Sequence, residues 1–103
     1  MIVLRIMKRE EVLAIVAQHQ AELQAMGVKS LALFGSVARD EAKPDSDVDF
    51  LVEFDDRPIG LFDVSRVRLY LEDLLGCSVD LGSPEDLRKE LRDRVLKEAI
   101  CAF

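Results

Sequence analysis

At 103 residues, half of them hydrophobic and a third charged, the chain has room for one domain with a single two-layer core and too few residues for a separate substrate-binding domain. That balance excludes a disordered segment, and the apolar runs, such as 1–4 and 12–17, are too short to span a membrane. A net charge of −6 argues against a grip on a long nucleic acid, which needs clustered lysine and arginine, yet leaves room for a nucleotide that arrives with a cation.

Residues 1–7 lack the basic lead and small-residue cleavage site of an export signal and read equally as a helix lead-in or a short strand. Lys8 to Met26 predicts one helix, because Val12, Val16, His19, Leu23 and Met26 recur at three- and four-residue steps. His19, the single histidine, falls within that apolar stripe and is expected at the edge of the core. Gly27 ends the helix, and Val28 to Phe34 predicts a strand whose last four residues are continuously apolar, as in a strand covered on both faces. Gly35 closes the strand, Ser36 to Ala42 predicts a short helix, and Lys43 to Ser46 a turn around Pro44.

Asp47 to Phe54 predicts the second strand. Val48, Phe50, Val52 and Phe54 alternate with Asp47, Asp49, Leu51 and Glu53, so the two aspartates share a face. After the loop at 55–60, Leu61 to Leu75 predicts a helix with Leu61, Val64, Val67, Leu71 and Leu74 toward the core, closed by Gly76. Cys77 to Leu81 predicts a third strand, and Ser83 with Pro84 and Asp86 the start of a last helix running to Ala99, with Leu87, Leu91, Val95 and Ala99 inward. Cys77 and Cys101 match no metal or redox spacing, so buried, reduced thiols of a cytoplasmic protein are expected. Alternating helices and strands predict an α/β fold, a small mixed sheet of three or more strands packed against helices, in one domain spanning 1–103.

The chemistry concentrates between Leu31 and Phe54. Carboxylates at i and i+2 of a strand stand roughly 6.5–7 Å apart and can converge on hard divalent cations. A lone Asp-x-Asp is as consistent with a solvated strand edge. Here Leu51 and the neighbouring strand are apolar, and the segment from Asp40 to Asp56 holds eight acidic residues and one lysine. Gly35-Ser36 would let a ligand approach the backbone beside a hydroxyl, or would be a plain turn and cap. Arg39 could reach a phosphate or a nearby carboxylate. Asp80, between Val79 and Leu81, is costly in a core strand unless it is paired or bound to metal. It joins the other two aspartates if its strand lies beside Asp47–Phe54; otherwise it faces solvent.

Gly35-Ser36, a ten-residue spacer, and Asp47-Val48-Asp49 ahead of an apolar strand resemble the signature of the DNA polymerase β-type nucleotidyltransferase superfamily. The string GSVARDEAKPDSDVDFLVEF is similar in particular to the minimal nucleotidyltransferases, antitoxin partners of HEPN-domain toxins, and the likeness covers nearly the whole chain. It implies that Gly35 and Ser36, supported by Arg39, hold nucleotide phosphates, and that Asp47, Asp49 and Asp80 bind two Mg²⁺ ions, with Asp80 also activating the acceptor hydroxyl. It implies transfer of AMP from ATP to a tyrosine of a HEPN toxin. Asp40 departs from the family pattern, where glycine is expected, and adds negative charge near the phosphate turn. A contact-only antitoxin on the same fold and a structural Ca²⁺ binder are the competing readings; the latter lacks a twelve-residue calcium loop. No membrane or long nucleic acid is expected as a partner, and homo-oligomerisation is left open.

Overall fold

The apolar run Val28–Phe34 forms strand β1, and the rest of the sheet is laid around it. The structure, a computed structural model, describes residues 8–43, 47–56, 58–83 and 87–103. In chain order the elements are α1 (Arg9–Gln18), α2 (Gln20–Ala25), β1, α3 (Gly35–Ala38), β2 (Val48–Phe54), α4 (Leu61–Leu75), β3 (Val79–Gly82), α5 (Lys89–Glu98) and β4 (Ile100–Cys101). Among the described residues the sheet is mixed and four-stranded, ordered β3-β2-β1-β4 with β3 and β4 outermost. β2 runs antiparallel to β1, from Val28 opposite Phe54 to Phe34 opposite Asp49. β3 lies parallel to β2, and α4 makes the crossover that a parallel neighbour requires. The expected α/β sheet is therefore present, with one strand more than the three the sequence marks out. That strand, β4, pairs Ile100 with Leu33 and Cys101 with Ala32.

Period-two alternation puts Val48, Phe50 and Val52 on the buried face of β2, against Leu31 and Leu33 of β1 and the helices. α1 and α2 contribute Val12, Val16 and Leu23; α4 contributes Val67, Leu71 and Leu75. The expected single helix from Lys8 to Met26 is in fact two, interrupted at His19, whose φ of −113° and ψ of 19° leave the helical region. His19 Nδ1 donates to the Ile15 carbonyl at 2.9 Å, and its ring meets Tyr70 edge-on with centroids 6.3 Å apart. It is half-buried, as a core-edge residue should be.

Two helices differ from expectation in what they bury. Leu61 opens α4 but is 85% exposed, as is its neighbour Phe62 at 87%. The inward stripe starts later, at Val67, and the first turn is held by Asp63 accepting the Gly60 N–H at 2.9 Å. α5 is shorter than the expected 84–99, and its Pro84 and Asp86 fall outside the described residues. It buries no residue, and Leu91 is 49% exposed, because its inner side lines an open cleft. The cysteines are free but not both buried: Cys77 is half-buried and Cys101 exposed. Among the described residues no helix is long and apolar enough to cross a membrane.

Candidate active site

The ends of three strands meet at one edge of the sheet. β1 finishes at Phe34, which faces Asp49 in the antiparallel register, so Gly35 falls beside the start of β2. β3 brings Asp80 directly opposite Asp49 in the parallel register, which sets their Cα atoms about 4.8 Å apart. Asp47 precedes β2 by one residue and is exposed. Thus the sheet gathers Asp47, Asp49, Asp80 and Gly35 at a common mouth.

Asp80 does not stand in a core strand as the sequence suggested. β3 is the outer strand, and of its residues only Val79 is buried; Asp80 is exposed. Exposure removes the desolvation argument for a ligand there, while the register supplies the adjacency that the argument required. Asp49 is the half-buried member, with Leu51 beyond it on the same side only 4% exposed. Burial pushes the Asp49 carboxyl above the ordinary aspartate range, and the Asp80 and Asp47 charges push it further; Arg39 opposes them.

Gly35 has φ of +78°, in the left-handed region. A Cβ built on it would run into the Asp49 carboxylate, so both the backbone conformation and the contact demand glycine. Ser36 follows within α3, whose short turn is closed by the Glu41 N–H donating to the Ser36 carbonyl at 2.8 Å. Arg39 caps that turn and is held by carboxylates, Nε to Glu41 at 3.1 Å and Nη1 to Glu98 at 3.4 Å, which raise its pKa. The ion-pair alternative for Arg39 is what its side chain adopts.

Asp40 is the one described non-glycine residue with positive φ, at +57°. That conformation explains why glycine is at home there and why aspartate is tolerated. Its carboxylate is not left uncompensated beside the Gly35-Ser36 turn: it accepts the Arg9 backbone N–H and pairs with the Arg9 guanidinium, each at 3.3 Å.

Beside Gly35 lies a cleft of about 520 Å³, lined by Phe34, Arg39, Glu41, Leu91, Arg94, Val95 and Glu98. The α5 lining was not singled out from sequence. Its signal is the helical spacing of Leu91, Arg94, Val95 and Glu98, which places apolar and charged groups on one side.

Whether this mouth suits divalent cations is a question of its chemistry. Among the described residues, no group of three or more His, Cys, Asp or Glu side chains is arranged as a metal cage. Mg²⁺ rarely uses such a cage; it takes one or two carboxylates and completes its shell with water and substrate phosphate. Adjacent carboxylates, one of them half-buried and raised by that burial and by its two acidic neighbours, fit that mode.

Residues 10–102 match the family model for the nucleotidyltransferase domain. A solved structure assigned as a minimal nucleotidyltransferase is 41% identical, with a TM-score of 0.78 over 91% of this chain and 95% of that one. The chain belongs to the minimal nucleotidyltransferases. This nucleotidyltransferase is also 41% identical over 92 residues to the protein adenylyltransferase MntA of Thermococcus cleftensis, covering 88% of this chain and 92% of that protein. A Methanocaldococcus jannaschii protein provisionally named a protein adenylyltransferase is 43% identical over 74 residues, 72% of this chain and 78% of that one. The fold alone is shared, at 17% identity and a TM-score of 0.61, over 88% of this chain and 71% of that one, with a structure of a tri-AMPylated Shewanella oneidensis HEPN toxin in complex with MNT antitoxin. The resemblance drawn from Gly35-Ser36 and Asp47-Val48-Asp49 is borne out at the level of family, fold and enzyme class.

Proposed function

We propose that this nucleotidyltransferase is a cytoplasmic antitoxin, a single domain over 1–103, that transfers AMP from ATP to a tyrosine hydroxyl of a HEPN-type toxin. The observation that carries the proposal is the placement of Asp80 opposite Asp49, with Gly35 packed against the Asp49 carboxylate. It draws further support from the adenylyltransferase relatives and from the toxin–antitoxin complexes of the same fold.

In this reading Asp47, Asp49 and Asp80 hold Mg²⁺, two ions as the family implies, which would neutralise the phosphates and stabilise charge on the leaving oxygen. Gly35 and Ser36 receive the triphosphate, with the missing Gly35 side chain letting the turn sit directly against the Asp49 carboxylate. Arg39 exchanges a carboxylate partner for a phosphate oxygen, which its planar fork suits. The cleft at Gly35 takes the nucleoside: about 520 Å³ suffices for a small ligand, Phe34, Leu91 and Val95 supply apolar surface, and Glu41 and Glu98 can accept from ribose hydroxyls. Asp80, exposed at the outer strand, accepts the proton as the tyrosine oxygen bonds to the α-phosphorus. The bond from that phosphorus to the bridging oxygen breaks, and pyrophosphate leaves.

The test is transfer of label from α-labelled ATP to the toxin in the presence of Mg²⁺. Asp47→Asn and Asp49→Asn are expected to lower transfer by about 100-fold or more, the scale of losing a catalytic carboxylate. A toxin whose acceptor tyrosine is replaced by phenylalanine should take up no label. Label transfer unaffected by either aspartate change would end the catalytic reading. Neutralisation by contact alone is the second reading, favoured by the exposed pair Leu61 and Phe62. Protection of cells by the Asp47→Asn/Asp49→Asn double variant would support it.

A further inference from the structure

The turn that carries Ser36 is four residues long and cannot hold itself in place. Its Gly35, Ser36 and Val37 carbonyls accept from the backbone N–H groups of Arg39, Glu41 and Asp40, which leaves the Ala38 carbonyl to a partner from elsewhere, and its exit, at Asp40, sits in the left-handed region. At the same time α1 starts without a side-chain cap of its own: Lys8 makes no capping hydrogen bond. These two needs are met by one pair of residues 31 positions apart.

Asp40 Oδ1 accepts the Arg9 backbone N–H at 3.3 Å, one of the donors left open at the start of α1. Asp40 Oδ2 pairs with Arg9 Nη2 at 3.3 Å, and Arg9 Nη1 donates to the Ala38 carbonyl at 3.1 Å. Each residue thus caps the helix that the other belongs to or follows. The negative carboxylate stands at an N-terminus and the guanidinium at a C-terminal carbonyl, both favourable to the peptide dipoles. Ala38 is 4% exposed, so the carbonyl contact is part-buried, while the Arg9–Asp40 ion pair stands at the surface.

We propose that Arg9 and Asp40 are positioning residues for nucleotide binding: by clasping α1 to the end of α3 they fix the turn that presents Gly35 and Ser36. The assignment rests on the reading above that this turn receives the triphosphate. It accounts for an aspartate where a glycine would suit the backbone better: the side chain gives up conformational ease and gains two contacts from Arg9, whose third goes to the Ala38 carbonyl. Neither residue touches the nucleotide, so the clasp acts on affinity and not on the bond-making step.

Steady-state kinetics with ATP, Mg²⁺ and the acceptor protein, together with amide exchange at Arg39, Asp40 and Glu41, test it. Arg9→Gln and Asp40→Gly should each raise KM for ATP about threefold to tenfold and leave kcat within about twofold, the scale of a charged hydrogen bond at a surface. The double variant should be no worse than either single one, because both remove the same clasp. Asp40→Asn keeps an acceptor for the Arg9 N–H and tolerates positive φ, so it should restore a KM within about twofold of the parent. Exchange of the Glu41 amide, bonded to the Ser36 carbonyl, should quicken in Arg9→Gln and in Asp40→Gly. Asp40→Gly also relieves the backbone, so it stays informative should Arg9→Gln lower the stability of α1. Unchanged KM in both single variants, or additive effects in the double, would overturn the clasp. Ser36→Ala separates the two levels: a raised KM there beside unchanged clasp variants removes only the clasp, whereas an unchanged KM for Ser36→Ala removes the phosphate reading and the clasp with it.

Discussion

Asp49 and Gly35 are bound to each other sterically, and this pair decides much of what single substitutions can do. Gly35→Ala must both leave the left-handed region and displace the Asp49 carboxylate, at a cost of about 1–3 kcal/mol from backbone strain alone. It should lower stability in urea melts and abolish nucleotide binding measured by calorimetry. Asp49 predicts the opposite trade. Its carboxyl is raised by burial and by Asp80 and Asp47, so its ionised form is disfavoured in the folded state. A raised acid is most compatible with folding below its unfolded value, and stability falls as pH rises through the folded one. Asp49→Asn should therefore melt higher than the parent at pH 7 while losing activity. The gap should close as pH drops below the ordinary aspartate value of about 3.9, and saturating Mg²⁺ should narrow it at pH 7. A variant no more stable than the parent at pH 7 would remove the burial of the charged carboxylate and its repulsion by Asp80 and Asp47 as a cost to folding.

At the scale of elements, legibility followed burial. β1 and α4 have the bounds their apolar patterns predict, Val28–Phe34 and Leu61–Leu75; β1 carries core residues along its length, whereas α4 is held by its stripe from Val67 and by Asp63 at its first turn. The place of Asp49 was legible for a similar reason: alternation puts it on the same side as Leu51, opposite the greasy face of β2. What escaped were features set by distant partners. The break at His19 depends on its bond to Ile15 and its contact with Tyr70; periodicity reads straight through it. β4 is two residues long and exists only because β1 offers an open edge. Asp80 was read as a core acid because Val79 and Leu81 flank it, and only the sheet order reveals an outer strand. The same contrast yields a stability prediction. Leu71→Ala, at a fully buried position, should cost about 2–5 kcal/mol in denaturant titration. Leu96→Ala, on the solvent side of α5 at 50% exposure, should stay within about 0.5 kcal/mol.

As a whole, the described chain has a radius of gyration of 13.3 Å, close to the about 13 Å of an ordinary compact domain of 100 residues. Its described residues form the sheet, its covering helices and the cleft at Gly35; if the chain transfers AMP to a protein hydroxyl as proposed, the acceptor is expected to supply much of the surface that orients that hydroxyl. Binding energy far from the reacting atoms would then come from the acceptor. Free tyrosine or a short tyrosine peptide should be labelled at least about tenfold less efficiently than the folded acceptor, by kcat/KM in the α-label assay. Equal efficiency would locate acceptor recognition within this chain instead.

The parallel pairing of β2 with β3 carries a consequence for timing. Gly35, Asp47 and Asp49 leave the ribosome early, on strands that can form a hairpin at once, but Asp80 waits until the whole of α4 has been made and folded across. Long-range parallel pairing is slow to close. A nascent or truncated chain that stops before Val79 would carry its acidic pair and its phosphate turn without the third carboxylate, and is predicted to be silent in the label assay. On the proposed mechanism, competence would then be acquired late and in one step, when β3 closes against β2.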